Sequence, residues 1–228
     1  MNTIAVKAFP TPYQYRENYL VIDGRSLPEW FDHYKDDEMK HFGTLSGLCP
    51  AWSEALNFRY DIRFIWTLTD TDERVILPIL VCEDDLDLDC IVLVADVYKE
   101  KDSVYWNRIG RVTHQNEAKD MDLHRYGILY HESYTDKDWE TYGSNIALSE
   151  LYSAEWHEWV TENSAEEWYR IRMNYTEPYY QKEGSIKWLA DVHWQFSRQE
   201  YEKCLNVYRE KVIVKYPDLA EFLIKDYY

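Results

Sequence analysis

Carboxylates are the residues of this chain whose type and spacing could do chemistry. They concentrate in two short stretches, the 70–73 connector (Asp-Thr-Asp-Glu) and the 83–89 connector (Glu-Asp-Asp-Leu-Asp-Leu-Asp). Acids this close together repel one another unless water, a cation or a basic partner screens them. A calcium loop would arrange its oxygen ligands around a glycine, which the 83–89 connector lacks. The pattern therefore favours a solvated acidic hairpin or a docking patch for a basic partner over a metal site.

A further group of acids is interleaved with Trp156, Trp159 and Trp168 on predicted helices. These tryptophans either pack onto the sheet or, together with neighbouring glutamates, belong to an interface. The candidate partner-binding residues are Asp70, Asp72, Glu73, Asp84, Asp85, Asp87, Asp89, Glu155, Glu158 and Glu162.

Catalytic patterns are weak throughout the chain. Asp-x-Asp pairs, which bind metal–nucleotide substrates in some glycosyltransferases, recur at five places, but clustering among 20 Asp accounts for them. None follows a parallel strand that opens into a nucleotide-binding helix. The H-E-x-x-H, G-x-S-x-G, P-loop and G-x-G-x-x-G motifs do not occur. We predict no catalytic residue, no metal and no cofactor; a metal-dependent hydrolase or transferase using Asp/Glu pairs is the alternative.

Four consecutive strands are predicted to position the two connectors. Alternating or near-continuous apolar residues place these strands at 58–69, 75–82, 90–98 and 104–112. Gly110 is predicted to mark a bulge or a strand end. Because the connectors are too short for crossover helices, neighbouring strands should pair antiparallel. In a simple meander the 70–73 and 83–89 connectors then lie at opposite ends of the sheet.

Other elements flank this meander. Ser26 and Glu29 form a capping box for a short helix, and the clean alternation over 186–196 favours a strand over a helix. Ser197 opens the best helix of the chain. The apolar face of that helix comprises Tyr201, Leu205, Tyr208 and Val212. Further strands are predicted at 4–9, 19–22 and 126–131, and further helices at 136–142, from Ser153, from Ser164 and at 217–224.

Strands first and helices later predict an α+β fold. We expect one domain over 1–228, with a central antiparallel sheet made of the 58–112 meander plus one or two further strands. Helices of a mainly helical portion, 134–228, should pack on one face of that sheet.

The charge balance constrains the partner. The chain has 25 Lys and Arg against 42 Asp and Glu, a formal net charge of −17 and a pI near 4.8. Such a surface repels nucleic acid and anionic membranes and speeds encounter with a basic partner, although it also simply aids solubility. Ten Trp and 21 Tyr supply core residues and are also enriched at protein interfaces.

The N-terminal residues lack the basic start and apolar run of a signal sequence, and no segment approaches the roughly 20 apolar residues that span a bilayer. The four cysteines occur singly. We predict a cytoplasmic protein with reduced thiols and with neither a nucleic-acid nor a membrane partner.

Three stretches carry a resemblance to a known type of protein: 104–110 (VYWNRIG), 138–145 (DWETYGSN) and 172–180 (RMNYTEPYY). In these stretches, and in its acidic composition rich in Trp and Tyr, the chain resembles the immunity proteins of bacterial polymorphic-toxin and contact-dependent inhibition systems. The resemblance implies a non-catalytic protein that binds a cognate basic toxin domain, such as a nuclease, and neutralises it by steric and electrostatic occlusion. A structural or adaptor module is a second alternative.

Overall fold

A computed structural model describes residues 1–10, 16–37, 39, 47–88, 91–113 and 183–224. The chain divides into two compact units, Met1–Val112 with Ile186–Tyr228, and Thr113–Ser185. Nearly all described residues belong to the first unit, whose architecture follows. The strand predicted at 126–131 and the helices predicted between 134 and 182 lie outside the described residues, and the single domain over 1–228 stays a prediction.

A three-stranded antiparallel sheet begins the chain. It comprises β1 (Ile4–Pro10), β2 (Arg16–Ile22) and β3 (Arg25–Ser26), in that order. Asp23 and Gly24 join β2 to β3 and have φ angles of 50° and 84°. Two left-handed residues between antiparallel strands match the twist of a tight hairpin, and Asp and Gly tolerate that conformation best.

The first residues are tied down on both sides. The Asp23 carboxylate accepts hydrogen bonds from the Thr3 backbone N–H at 2.8 Å and from Asn2 Nδ2 at 2.6 Å. The Asn2 N–H donates to the Gln195 carbonyl at 2.6 Å, and the Gln195 N–H donates to Asn2 Oδ1 at 2.9 Å. Asn2 therefore links the start of the chain to a strand near its other end.

The short helix α1 (Leu27–Tyr34) begins where the capping box predicts. Glu29 Oε2 accepts hydrogen bonds from the Ser26 backbone N–H at 2.8 Å and from Ser26 Oγ at 2.6 Å. Leu27 and Phe31 are fully buried on the opposite side of this helix. Cap and apolar face thus agree, which fixes where the chain leaves the first sheet.

A five-stranded antiparallel sheet forms the larger layer, with its strands in chain order. They are β4 (Leu48–Pro50), β5 (Val75–Cys82), β6 (Val92–Lys99), β7 (Ser103–Val112) and β8 (Ile186–Ser197). The antiparallel meander over 75–112 and the strand at 186–196 are confirmed. The register between β7 and β8 shifts beside Gly110, where the sequence predicts a bulge or strand end. A Cβ on Gly110 would lie 2.7 Å from the Lys187 carbonyl oxygen, so the close approach of the two strands requires glycine there.

The strand predicted at 58–69 is wrong, because these residues form helix α2 (Arg59–Asp70). A strand would turn Asp61, Ile65 and Thr69 toward solvent, yet all three are buried. The more accessible positions Arg59, Arg63 and Thr67 instead recur every four residues, close to the period of a helix.

The pattern in this stretch satisfies both periods. Ile62, Ile65 and Trp66 follow the i, i+3, i+4 spacing of a helical core face and are all buried. Thr69 Oγ1 donates to the Ile65 carbonyl at 2.7 Å, so the buried hydroxyl is satisfied within the helix. Tertiary burial therefore overrides the β propensity of a run rich in Ile, Phe, Trp and Thr.

Helix α3 (Arg198–Lys215) follows β8 directly, and a turn at Pro217–Leu219 leads into the short α4 (Ala220–Leu223). The predicted apolar face of α3 is buried in full. It packs on the aromatic centre of the core, where the Trp106 ring lies within 6.5 Å of four others. These are Trp52, Trp194, Phe196 and Tyr201. The α+β class is confirmed.

Candidate partner interface

The acids of the 70–73 connector are held by helix α3. Arg209 Nη2 donates to Asp70 Oδ1 at 2.6 Å, and the two side chains are only 8% and 1% exposed. The Arg209 guanidinium also lies 4.7 Å from the centre of the Trp66 ring. Asp70, predicted as a partner-binding residue, is therefore engaged in a buried internal ion pair.

Asp72 and Glu73 lie closer to the surface. Asp72 is 67% exposed and accepts a hydrogen bond from Arg198 Nη2 at 2.6 Å. Arg198 Nη1 also donates to the Glu100 carbonyl at 3.1 Å, so one arginine joins this connector to the turn between β6 and β7. Glu73 is exposed. Two of the three predicted acids thus have a basic partner from the chain itself.

Lys99 adds a buried cation behind this connector. Its Nζ donates to the Thr69 carbonyl and lies 3.7 Å from Glu202 Oε1. Burial lowers the pKa of Lys99, although Glu202 and Asp70 act in the opposite direction. Basic groups from β6 and α3 therefore surround the end of α2.

The 83–89 connector has a different environment. Asp84 and Asp85 are exposed and Asp87 is partly exposed, whereas Glu83 is buried. Asp89 lies outside the described residues. The sequence from 75 to 98 contains no Lys, Arg or His, so no cation comes from the two strands that carry this turn.

The turn that displays these acids is held in place by Asn57. The Asn57 backbone N–H donates to the Leu86 carbonyl at 2.9 Å, and Asn57 Nδ2 donates to the Asp85 carbonyl at 2.6 Å. The Leu86 N–H closes the turn by donating to the Cys82 carbonyl at 2.9 Å. Leu86 has a φ of 51°, an uncommon left-handed conformation for a branched residue.

Phe58, the residue after Asn57, is 40% exposed. It precedes α2 and has extended backbone angles. Phe58 was not predicted as a surface residue, because a strand at 58–69 would turn its ring into the core. Aromatic residues are enriched at protein interfaces, and Phe58 directly follows Asn57, which bonds to the acidic turn. We call Phe58, Asp84, Asp85 and Asp87 the hairpin surface.

The two acidic connectors do not form one patch. The 70–73 connector precedes the eight-residue strand β5 and the 83–89 connector follows it. At about 3.3 Å per residue, they are separated by roughly 26 Å along the sheet. The opposite-end arrangement predicted for a meander is therefore found.

A cluster of charges at the centre of the larger sheet was not predicted from the sequence. Asp96, whose side chain is 3% exposed, accepts hydrogen bonds from Arg74 Nη2 at 2.5 Å and from Arg108 Nε at 3.1 Å. Burial acts to raise the pKa of Asp96, but the two guanidiniums outweigh it and hold the pKa below its usual range. The Arg108 guanidinium lies 4.0 Å from the centre of the Trp188 ring. A lone acid within the apolar run 92–97 was the available sequence signal.

The three remaining candidates, Glu155, Glu158 and Glu162, lie outside the described residues. They belong to 113–185, a segment with 15 Asp and Glu against six Lys and Arg. A large share of the acidic surplus is therefore located there by sequence.

Among the described residues, no group of three or more His, Cys, Asp or Glu is arranged to hold a metal ion. Within the same ranges, no helix has the length and apolar character needed to cross a membrane. No protein-family model matches the chain, and neither a curated protein nor a solved structure is detectably similar to it.

Proposed function

We propose that this chain is a non-enzymatic binding protein of the immunity type, which neutralises a basic protein toxin by occluding its working surface. The observation that carries the proposal is the display of Asp84 and Asp85 on an anchored turn, within a stretch from 75 to 98 that has no basic residue. The net charge of −17 gives the same sign to the molecule as a whole.

The chemistry of such a partner follows from the acids. A nuclease domain must present Lys and Arg to hold phosphates, so a carboxylate-bearing turn can occupy the same positive groove. Complementary charge raises the rate of encounter and excludes partners of the wrong sign. Most of the affinity would come from buried aromatic anchors, and Phe58 on the hairpin surface is suited to that role.

The resemblance of the chain to immunity proteins of contact-dependent inhibition systems supports the same function. One of its three stretches, 104–110, lies in β7, where Val104, Trp106 and Ile109 are buried. That stretch therefore contributes to folding. Contact with a toxin is assigned to the hairpin surface instead.

The test begins with affinity capture from the native strain at low salt, using the full chain as bait. Captured proteins are identified, and basic domains among them are expressed alone and together with this chain. We expect one such domain to stop cell growth when expressed alone and to be harmless when co-expressed. If every captured basic domain is equally toxic with and without this chain, the proposed function is wrong.

A further inference from the structure

Glu17 on β2 is a buried acid surrounded by groups from several other elements. Its side chain is 7% exposed. Oε1 accepts a hydrogen bond from the Asn18 N–H at 2.8 Å, and Oε2 lies 3.5 Å from Ser53 Oγ. Ser53 follows β4 and is itself buried. A carboxyl group of the smaller sheet is thus inserted against the loop that leaves the first strand of the larger sheet.

A second carboxylate shares the same hydroxyl. Ser53 Oγ lies 3.5 Å from Glu54 Oε2 as well as from Glu17. A serine hydroxyl has one hydrogen, so it can donate to only one of the two acids at a time. The other acid then faces the hydroxyl oxygen. When both carboxyl groups are ionised, two negative charges share one hydroxyl, and a retained proton or a nearby cation relieves their repulsion.

The available cation is Lys211 on α3. Its Nζ lies 3.5 Å from Glu54 Oε1 and 3.9 Å from Glu17 Oε1, and its side chain is partly exposed. Both separations exceed an ordinary N–H···O hydrogen bond. One half-exposed ammonium therefore faces two carboxylates, and when both are ionised the cluster carries an excess negative charge.

The other titratable groups that face Glu17 are neutral near pH 7. Burial raises the pKa of the Cys49 thiol to about 12. Burial also raises the pKa of Tyr208, whose hydroxyl donates to the Asn18 carbonyl at 2.9 Å. On β1 the residue opposite Glu17 is Phe9, which is apolar. Among the described residues, Glu54 and Lys211 are therefore the charged side chains that act most directly on Glu17.

We propose that Glu17, Ser53, Glu54 and Lys211 form a proton-sensitive latch between β2, the loop after β4, and α3. With a proton on Glu17, its carboxylic O–H can donate within the cluster, while Lys211 balances Glu54. When Glu17 loses that proton, two carboxylates face each other across one hydroxyl, and the contact between the smaller sheet and α3 weakens. The latch is independent of the hairpin surface and of the proposed toxin partner.

The pKa of Glu17 supports the direction of this effect. Burial is the main cause that raises it, and Glu54 acts in the same direction; the Asn18 N–H, Lys211 and Ser53 only partly oppose them. An acid whose pKa is higher in the folded than in the unfolded chain stabilises the fold below its unfolded pKa, near 4.5. That contribution is lost as the pH rises through the folded pKa.

Hydrogen exchange followed by NMR on the full chain tests the latch between pH 4.5 and pH 8. Protection is corrected for the intrinsic exchange rate at each pH, and amides of 17–22 on β2 are compared with amides of 92–99 on β6. In the wild type we expect β2 protection to fall as the pH rises across this range, relative to β6. In Glu17→Gln, β2 protection should be independent of pH.

Glu210→Gln is the matched control, because Glu210 is exposed on the same helix α3. It should retain the wild-type pH dependence, whereas Glu54→Gln should reduce it. A carboxyl carbon titration of the wild type gives a result that needs no variant: the midpoint of Glu17 should lie above 4.5, the pKa of an unperturbed glutamate. A midpoint at or below that value, or β2 protection that does not change with pH, would overturn the proposal.

Discussion

The 70–73 and 83–89 connectors are both rich in acidic residues but have different surroundings. In the first, α3 supplies Arg209 to the buried Asp70 and Arg198 to the exposed Asp72. In the second, Asp84 and Asp85 are exposed on a turn whose flanking strands carry no basic residue. An acidic stretch in a sequence therefore does not by itself predict an exposed acidic surface, because the fold determines which carboxylates pair with a cation of the same chain. Of these two connectors, the second is the one whose neighbouring strands carry no basic residue, and it is the one we propose as an interface.

The largest effect should come from breaking the internal pairing of the first connector. Arg209→Met removes the cation from a carboxylate that is 1% exposed, and we expect a loss of about 3–5 kcal/mol in the free energy of unfolding. Arg198→Met is the matched control, because the partner of Arg198, Asp72, is largely solvated. This substitution should cost only about 0–1 kcal/mol in the free energy of unfolding. Urea denaturation measures both. If the two variants lose equal stability, Asp70 is no more structural than Asp72.

Asp96 provides a second internally paired carboxylate, and its pairing should depend on pH. Asp96→Asn weakens charge-assisted hydrogen bonds from Arg74 and Arg108, so we expect a loss of about 1.5–3 kcal/mol at pH 7. Because the folded pKa lies below the unfolded value of 3.8, the wild-type advantage is present above that pH and disappears as the pH falls through the folded pKa. Stability curves of wild type and variant should therefore converge in acid. Curves that stay parallel down to the acid limit would contradict this pairing.

Charge reversal distinguishes the two connectors by binding. The double variant Asp84→Lys, Asp85→Lys should bind the captured basic partner at least about tenfold more weakly, a loss of about 1.4 kcal/mol in binding free energy. Its free energy of unfolding should stay within about 0.5 kcal/mol of the wild-type value. The control is the double variant Glu73→Lys, Asp102→Lys. It changes the net charge by the same amount at the opposite end of the larger sheet, where both residues are exposed. Isothermal calorimetry gives both Kd values. Equal weakening by the two pairs would mean that overall charge, and not the hairpin surface, governs binding.

The smallest effect should follow from loosening the turn that carries the hairpin surface. Asn57→Ala removes the side-chain hydrogen bond to the Asp85 carbonyl and should cost about 1 kcal/mol. Thr67→Ala on α2 is the control, because the Thr67 hydroxyl donates a hydrogen bond within its own helix at an exposed position. This substitution should cost less stability than Asn57→Ala. Thermal unfolding measures both variants. If binding weakens in Asn57→Ala while Asp84 and Asp85 are intact, the turn conformation itself contributes to recognition.

Most of the described fold could be predicted from sequence because period and burial agree there. The apolar runs of β5 and β6 have no competing helical pattern, and α1 begins at its capping box. The stretch 58–69 failed because its residues satisfy both periods, and only the surroundings decide between them. In that helix, buried Asp61 and Ile65 are what a strand would have exposed.

The site was less predictable than the fold. Acid-rich stretches could be named, but the partners of Asp70 and Asp72 come from α3, more than 120 residues away in sequence. Phe58 could not be placed on the surface without knowing that α2 starts behind it. The pairing of Asp96 with Arg74, which precedes β5, and with Arg108 on β7 likewise required the register of β5, β6 and β7.

The hydrogen bonds between Asn2 and Gln195 have a consequence for self-association of the molecule. Among the described residues, β8 is the last strand of the larger sheet, and an edge strand of that kind can pair with another polypeptide. At Gln195 both outward main-chain groups are already occupied by the second residue of the same chain. The side chain and backbone of Asn2 thereby hinder another strand from pairing with β8 at this position.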